Sequence, residues 1–160
     1  MAAIHHRMAH VCLLVKDVHK AAADYQKILS VIDPKQLEKK MVFHENFGVG
    51  NEREHVITFP SVGDCCEIQL MQPLTPGTAL YERLQKRGEG LHHVCFTSSD
   101  VDDIKKQLDA KGIQSTPVVS DPAGIPHQRW NFIPSGPAHG IYIELANWYE
   151  AIDGAWYPPR

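Results

Sequence analysis

Apolar and polar positions follow the same succession in two parts of the chain. Residues 9–15 and residues 92–98 predict β-strands with apolar side chains at alternate positions. Each strand is followed by an aspartate, Asp17 or Asp100, whose carboxylate is suited to accept a hydrogen bond from the first turn of a helix. Apolar residues at helical spacing come next: Val18, Ala22, Tyr25 and Leu29 after the first strand, and Val101, Ile104 and Leu108 after the second. The pattern therefore predicts a strand–helix unit that occurs twice.

The two units superimpose without gaps at an offset of 83 residues, so that His10 aligns with His93. The strands that follow each helix also match, with residues 55–61 resembling 129–135 at an offset of 74 and residues 67–71 resembling 142–146 at an offset of 75. Internal repeats of this kind determine the architecture of a chain. A repeat of about half the chain indicates a duplicated half-domain, with a strand, a helix and further strands in each half.

The remaining segments connect or extend these halves. We expect one domain, with module one at about 8–73, a connection at 74–89, module two at about 90–146 and a C-terminal extension at 147–160. Within the connection, Thr78 is expected to begin a short helix that buries Leu80 and Leu84. Residues 41–52 predict a strand and a loop, and the segment 120–126, rich in proline and glycine, predicts a loop.

Strand parity divides the side chains of the repeated strands between two faces, because successive residues of a strand point to opposite sides. One face carries aliphatic and aromatic side chains, which suit packing under helices. The other carries one metal-binding side chain at a comparable place in each of four strands: His10, Gln69, His93 and Glu144. Each alone could be an ordinary strand residue, but their duplicated placement argues against four separate coincidences. If the halves form curved sheets side by side, the four side chains converge in the concavity.

Two imidazoles, an amide oxygen and a carboxylate form a mixed nitrogen and oxygen ligand set. Such a set binds one divalent ion, and Co, Zn, Ni, Mn and Fe all accept it with positions left for water or substrate. The neighbouring His92 has the opposite parity to His93, so we expect His92 to face the other side of the sheet. The sequence thus predicts a metal centre in which His93, rather than His92, is a ligand.

Composition restricts the partners and the compartment. The chain has 160 residues, 43% of them hydrophobic, and a formal net charge of -3, so it lacks the basic field of a nucleic-acid-binding protein. No apolar run is long enough for a membrane span, and the N-terminal residues lack the apolar core of a secretory signal. The four cysteines include no C-x-x-C pair. We expect a cytoplasmic protein with reduced thiols that acts on a small molecule, without nucleic acid or membrane partners.

The arrangement resembles the vicinal oxygen chelate (glyoxalase/bleomycin resistance/dioxygenase) superfamily over nearly the whole chain through Ala146. Within it, residues 67–73 and 84–93 are most similar to methylmalonyl-CoA epimerases, and the phrase from Lys86 to His93 is the most specific part. The resemblance implies an α+β fold of two paired βαβββ modules that form a cupped, barrel-like mixed sheet with helices outside. Position by position, it also implies the metal ligands His10, Gln69, His93 and Glu144.

The resemblance further implies a metal-dependent isomerase or epimerase that abstracts a proton next to a metal-chelated carbonyl. Epimerisation needs two acid/base groups, because one face of the carbon loses a proton and the other receives one. Glu144 is a candidate for one role, and Glu54, His55 and Glu67 are candidates for the second. The substrate would be a small molecule, with acyl-CoA esters among the candidates, and the protein is expected to be a homodimer.

Three other functions fit the same pattern. His10, His93 and Glu144 alone form the two-histidine, one-carboxylate set of ferrous ring-cleaving dioxygenases. A glyoxalase-like lyase would use related chemistry, and a non-enzymatic protein of this fold would bind a small molecule without turnover. The aromatic extension at residues 147–160 would form a dimer contact, wall off the cavity or pack on its own domain. Trp130 and Tyr142 are expected to narrow the pocket.

Overall fold

The computed structural model describes residues 7–121 and 125–158. Module one consists of β1 (Arg7–Leu14), α1 (Val18–Ile32), a 3₁₀ turn (Pro34–Leu37), β2 (Val42–Val49), β3 (Glu52–Phe59) and β4 (Glu67–Pro73). The helix α2 (Ala79–Arg87) connects it to module two, which consists of β5 (Gly90–Ser98), α3 (Val101–Ala110), β6 (Val119–Asp121), β7 (Ile125–Ile133) and β8 (Tyr142–Asn147). The extension adds β9 (Glu150–Ile152) and β10 (Ala155–Tyr157).

Eight strands form one mixed sheet in the order β2-β3-β4-β1-β5-β8-β7-β6. In each module the first strand pairs in parallel with the last, and β1 and β5 pair antiparallel at the centre of the sheet. The two ends of the sheet approach each other, where Arg53 Nη1 on β3 lies 3.7 Å from Asp121 Oδ2 on β6. The predicted α+β fold, two βαβββ modules in a cupped, nearly closed sheet, is therefore confirmed.

Both repeated helices begin at the predicted aspartates. Asp17 accepts a hydrogen bond from the Lys20 amide at 3.0 Å, and Asp100 accepts one from the Asp103 amide at 2.9 Å. Each carboxylate satisfies an amide that has no partner within its own helix. The helix boundaries were therefore encoded locally.

The outer face of the sheet packs under these helices. Val18 and Leu29 of α1 cluster with Phe59 and Leu70 of the sheet, while Val101 of α3 packs in a separate cluster under module two. Burying each such side chain contributes roughly 1.5–3 kcal/mol. Because alternate residues of the same strands point inward, this packing directs the polar positions into the concavity.

One local expectation is met and another needs correction. Residues 41–52 hold the expected strand, β2, and then the turn of its hairpin with β3, where Gly50 has positive φ. Of the segment 120–126, where a loop was expected, residues 120 and 121 belong to β6 and residues 125 and 126 to β7. Residues 122–124 lie outside the described residues, as do residues 1–6, where no secretory signal was expected. Among the described helices, none has the length and apolar character needed to cross a bilayer.

Candidate metal centre

Three side chains from the two modules meet inside the cupped sheet. His10 Nε2 lies 3.0 Å from His93 Nε2 and 3.1 Å from Glu144 Oε2, and His93 Nε2 lies 2.8 Å from the same carboxylate oxygen. All three side chains are at least nine-tenths buried. Three of the four residues predicted as ligands are thus in mutual contact.

Sheet register explains why these residues meet. On the central strands, His10 lies opposite Cys95 and Cys12 lies opposite His93, so the two histidines flank the axis between the modules. Glu144 lies beside Cys95 on β8, and Gln69 lies beside Cys12 on β4. Each module therefore brings one imidazole and one oxygen-bearing side chain to the same region.

The protonation states around Glu144 suit a metal. Burial alone would raise the pKa of Glu144, but the imidazoles of His93 and His10 hold that pKa well below its ordinary value. Burial lowers the pKa of His93, although Glu144 opposes the shift. Ionised carboxylate and neutral imidazole are the forms that bind a divalent cation.

The spacing of the donor atoms also suits a metal. Bonds of about 2.1 Å at right angles place two ligand atoms about 3.0 Å apart, which matches the three observed separations of 3.0, 3.1 and 2.8 Å. If the proton of each imidazole lies on Nδ1, the two Nε2 lone pairs and the carboxylate oxygen face one another. A cation would relieve the repulsion between these three acceptors.

The buried Gln69 lines the same cavity from β4. Its position in module one corresponds to that of Glu144 in module two, because each lies beside the central cysteine of its module. The Gln69 side chain therefore lines the same cavity as the three clustered side chains, from the other module.

His92 also lines the cavity, and the expectation that it faces the other side of the sheet is wrong. The pairing of β1 with β5 passes from Cys12 opposite His93 to Leu13 opposite Leu91, so His92 is an extra residue in a β-bulge. Its Nδ1 lies 2.8 Å from His93 Nδ1, and its ring stacks on Tyr142 with centroids 4.9 Å apart. Burial and the neighbouring His93 lower the pKa of His92 to about 3, so the ring is neutral.

Glu67 lies behind His10 and outside the lining of the cavity. The Tyr149 hydroxyl donates a hydrogen bond to Glu67 Oε2 at 2.9 Å and lies 2.7 Å from His10 Nδ1. Burial raises the pKa of Glu67, whereas His10 and the Tyr149 hydrogen bond lower it. Glu67 is therefore linked to His10 through Tyr149, a residue that sequence reasoning missed because it follows the repeat.

Glu54 and His55 point to opposite sides of β3. Glu54 is 3% exposed and lines the cavity, and burial together with Glu52 raises the pKa of Glu54 to about 8. His55 instead packs among His19 and Phe43 on the α1 side and contacts the Glu45 carbonyl. Of the three candidates for a second acid/base group, only Glu54 has its carboxylate at the cavity.

Gly48 makes room for this carboxylate. It has φ of +124°, and a Cβ there would lie 2.1 Å from the Glu52 carbonyl oxygen and 2.6 Å from Glu54 Oε2. Because φ in this range favours glycine, any other residue would be strained here as well as obstructed. A glycine in β2 therefore allows Glu54 to occupy the cavity wall.

The cavity has a volume of about 650 Å³. Its walls are largely apolar, with Phe47, Trp130 and Phe132 from the sheet and Trp156 from the extension. Tyr142 lines it beside His92, as expected, and Arg83, Lys86 and Arg87 of α2 add positive charge. The extension contributes both Tyr149 and Trp156, so within this chain its aromatic residues wall the cavity.

Comparison with known proteins agrees with this geometry. The family model described as the Glyoxalase/Bleomycin resistance protein/Dioxygenase superfamily matches residues 9–132. The uncharacterised protein YqjC of Bacillus subtilis (strain 168) is 24% identical over 144 residues, which cover 87% of this chain and 90% of that protein.

Two similar proteins are methylmalonyl-CoA epimerases. The human mitochondrial enzyme is 29% identical over 110 residues, which cover 68% of this chain but only 56% of that protein, a little over half of its length. A crystal structure of the Mycobacterium tuberculosis enzyme has a TM-score of 0.67 and 26% identity, and the match covers 91% of this chain and 89% of that one. The resemblance inferred from sequence is thereby confirmed.

Proposed function

This chain belongs to the glyoxalase/bleomycin resistance protein/dioxygenase superfamily, and from that premise we propose that it is a metal-dependent epimerase or isomerase similar to methylmalonyl-CoA epimerase. The observation that carries the proposal is the convergence of His10, His93 and Glu144 in a cavity that holds a second buried carboxylate, Glu54. A metal centre alone is compatible with many reactions. A separate acid/base group in the same cavity favours proton transfer.

The proposed ligands are His10, Gln69, His93 and Glu144, around one divalent ion of the Co, Zn, Ni, Mn or Fe class. When bound, the ion would act as a Lewis acid on the carbonyl oxygens of the substrate. Gln69 supplies a neutral donor, so the ligand set carries only the single negative charge of Glu144. A low ligand charge keeps the ion electrophilic.

Proton transfer is assigned to the carboxylates. One carboxylate removes the proton from the carbon beside the carbonyl, and the electron pair of the C–H bond moves into the carbonyl group. The partner carboxyl group then returns a proton to the same carbon from the other face, which inverts it. The pKa of Glu54 at about 8 supports the role of proton donor at neutral pH, and Glu144 is proposed for the opposite role.

Positive charge at the cavity supports an anionic substrate such as an acyl-CoA. Arg83 lies about one turn of α2 before the adjacent Lys86 and Arg87, and all three line the cavity, as does Glu82. The ion pairs among the described residues involve none of these three cations. The guanidinium of Arg83 lies 5.3 Å from the centre of the Tyr142 ring, so it is held at the cavity and available to carboxylate or phosphate oxygens.

Solvent exchange tests this function directly. The metal-loaded protein would be incubated with methylmalonyl-CoA in deuterium oxide, and deuterium at C2 would be followed by mass spectrometry. We expect exchange and epimerisation, and Glu54→Gln should slow both by about 10²–10⁴-fold because it removes an acid/base group. The matched control is Glu45→Gln on the exposed part of the same hairpin. Absence of exchange in the wild-type protein would refute this substrate.

One observation favours a second candidate, a ferrous ring-cleaving dioxygenase. His92 adds an imidazole beside the His10, His93 and Glu144 set, and ring-cleaving chemistry uses such a set with ferrous iron. Oxygen consumption with catechols after anaerobic Fe(II) loading would support this reaction. If the protein takes up no oxygen with catechols but exchanges deuterium into methylmalonyl-CoA, the dioxygenase is excluded and the epimerase function is retained.

A further inference from the structure

We infer that Tyr149 is a positioning residue of the metal centre. The C-terminal extension, which contains Tyr149, is therefore needed to orient a metal ligand. Tyr149 bridges Glu67 and His10, and so holds the His10 ring with its Nε2 lone pair directed at the other ligands. This inference rests on the proposed metal function. It assigns Glu67 a supporting role in place of the acid/base role considered from the sequence.

The contacts form a continuous chain from the protein interior to the candidate ligand atoms. Tyr149 Oη lies 2.9 Å from Glu67 Oε2 and 2.7 Å from His10 Nδ1, and His10 Nε2 lies 3.1 Å from Glu144 Oε2. Both distances at Tyr149 are those of good hydrogen bonds. A phenol can donate one hydrogen bond and accept another.

Only one assignment of protons agrees with a metal at His10 Nε2. Ligation requires the lone pair on Nε2, so the ring proton lies on Nδ1 and is donated to Tyr149 Oη. The Tyr149 hydroxyl then donates to Glu67, which as a carboxylate accepts. The reverse order would place the proton on Nε2, toward His93 and Glu144, and exclude the metal. Glu67 therefore selects the binding tautomer of His10 through the tyrosine.

The hairpin β9–β10 holds Tyr149 at this position. The Trp156 ring on β10 lies edge-on to the Tyr149 ring at 6.1 Å between centroids. Trp156 is itself fixed by stacking on His44 at 6.2 Å and by contact with Phe47. Residues after the last strand of the repeated sheet thus complete module one rather than forming an independent tail.

The test measures metal binding independently of catalysis. Metal-free wild-type protein, Tyr149→Phe, Glu67→Gln and the control Tyr157→Phe would be titrated with Co²⁺ by calorimetry, and the visible d–d spectrum would be recorded. Tyr157 is an exposed tyrosine on the same hairpin, so its replacement controls for changes in the extension itself. The melting temperature of each metal-free variant would be measured alongside.

We expect Tyr149→Phe to weaken Co²⁺ binding by about 10–100-fold, the usual effect of losing an outer hydrogen bond to a ligand, and to alter the cobalt spectrum. Glu67→Gln should have a smaller effect in the same direction, because an amide oxygen still accepts from Tyr149 but lacks the charge. Tyr157→Phe should bind within about twofold of wild type.

Unchanged Co²⁺ affinity and spectrum in Tyr149→Phe would overturn the inference, even if its melting temperature fell, because that result would indicate a purely structural role. If Tyr149→Phe does not fold, the Co²⁺ affinity and spectrum of Glu67→Gln test the inference instead, and unchanged values would overturn it. Failure of the proposed function has a different signature, namely no Co²⁺ binding by wild-type protein. Normal Co²⁺ binding by Tyr149→Phe with intact wild-type binding would overturn only the role of Tyr149.

Discussion

The two modules place their histidines at equivalent points but support them differently. His10 of module one contacts a tyrosine that is itself bonded to a carboxylate, Tyr149 and Glu67. His93 of module two contacts the neutral ring of His92, which stacks on Tyr142. The duplication therefore preserves the geometry of the ligands, while the groups behind them have diverged.

A second difference concerns the oxygen donors. Module one has the amide Gln69 where module two has the carboxylate Glu144, and the offset of 74 that relates the third strands places the carboxylate Glu54 opposite the amide Gln128. Gln128 also lines the cavity and is 8% exposed, and its Nε2 has no hydrogen-bond partner in the described part of the chain. At these two aligned pairs of positions, each module thus has one carboxylate and one amide, but in exchanged places. This exchange gives the cavity one carboxylate in contact with both histidines, Glu144, and one outside that group, Glu54.

The largest expected effect tests whether the two histidines are equivalent. His10→Ala and His93→Ala should each weaken Co²⁺ binding by about 10²–10³-fold. Zinc binding of about 10–16 kcal/mol by four ligands corresponds to about 2.5–4 kcal/mol per ligand. Calorimetric titration measures this loss, and His139→Ala, outside the site, is the control. A loss confined to one histidine would mean that the modules do not share one ion.

The exchanged carboxylates predict an effect of pH on stability. The pKa of Glu54 is about 8 in the folded protein and ordinary in the unfolded chain, so the folded state binds more protons between these two values. Stability from this group is therefore full at acid pH and is lost as the pH rises toward 8. In Glu54→Gln, the free energy of unfolding should fall by about 2–3 kcal/mol less over this pH range than in the wild-type protein. The full pKa shift of Glu54 would correspond to about 5 kcal/mol, which is an upper bound.

Denaturant unfolding of the metal-free protein at pH 5 and pH 9 measures this difference. Glu45→Gln, an exposed change on the same hairpin, should leave the wild-type pH dependence intact. If Glu54→Gln lost as much stability between pH 5 and pH 9 as the wild-type protein, Glu54 would not retain its proton in the folded state.

The smallest expected effect concerns the support of His93. His92→Phe keeps an aromatic ring for stacking on Tyr142 but removes the nitrogen beside His93 Nδ1. We expect about a 10-fold loss of Co²⁺ affinity, at the low end of the usual range for an outer partner, because His92 is neutral whereas Glu67 is a carboxylate. A loss greater than that of Tyr149→Phe would reverse this ranking of the two modules.

Local sequence signals accounted for most of the fold and brought together three of the four residues predicted as ligands. The helix starts at Asp17 and Asp100 depend on side chains within three residues, so they could be identified from the sequence. Strand parity placed His10, His93 and Glu144 on one face, and in the structure their side chains meet inside the sheet. The same rule assigned His92 to the wrong face, since a β-bulge adds one residue and resets the alternation.

Periodicity and duplication in the sequence were enough to predict two similar halves that each direct one imidazole and one oxygen-bearing side chain into a common concavity. Both signals can be read along the chain, and they hold in any fold that buries the apolar face. Tertiary contacts were needed to show that Glu54 rather than His55 reaches the cavity, that His92 lines it, and that Tyr149 links Glu67 to His10. These outcomes depend on bulges and on contacts between residues as far apart as positions 10 and 149, which no local pattern specifies.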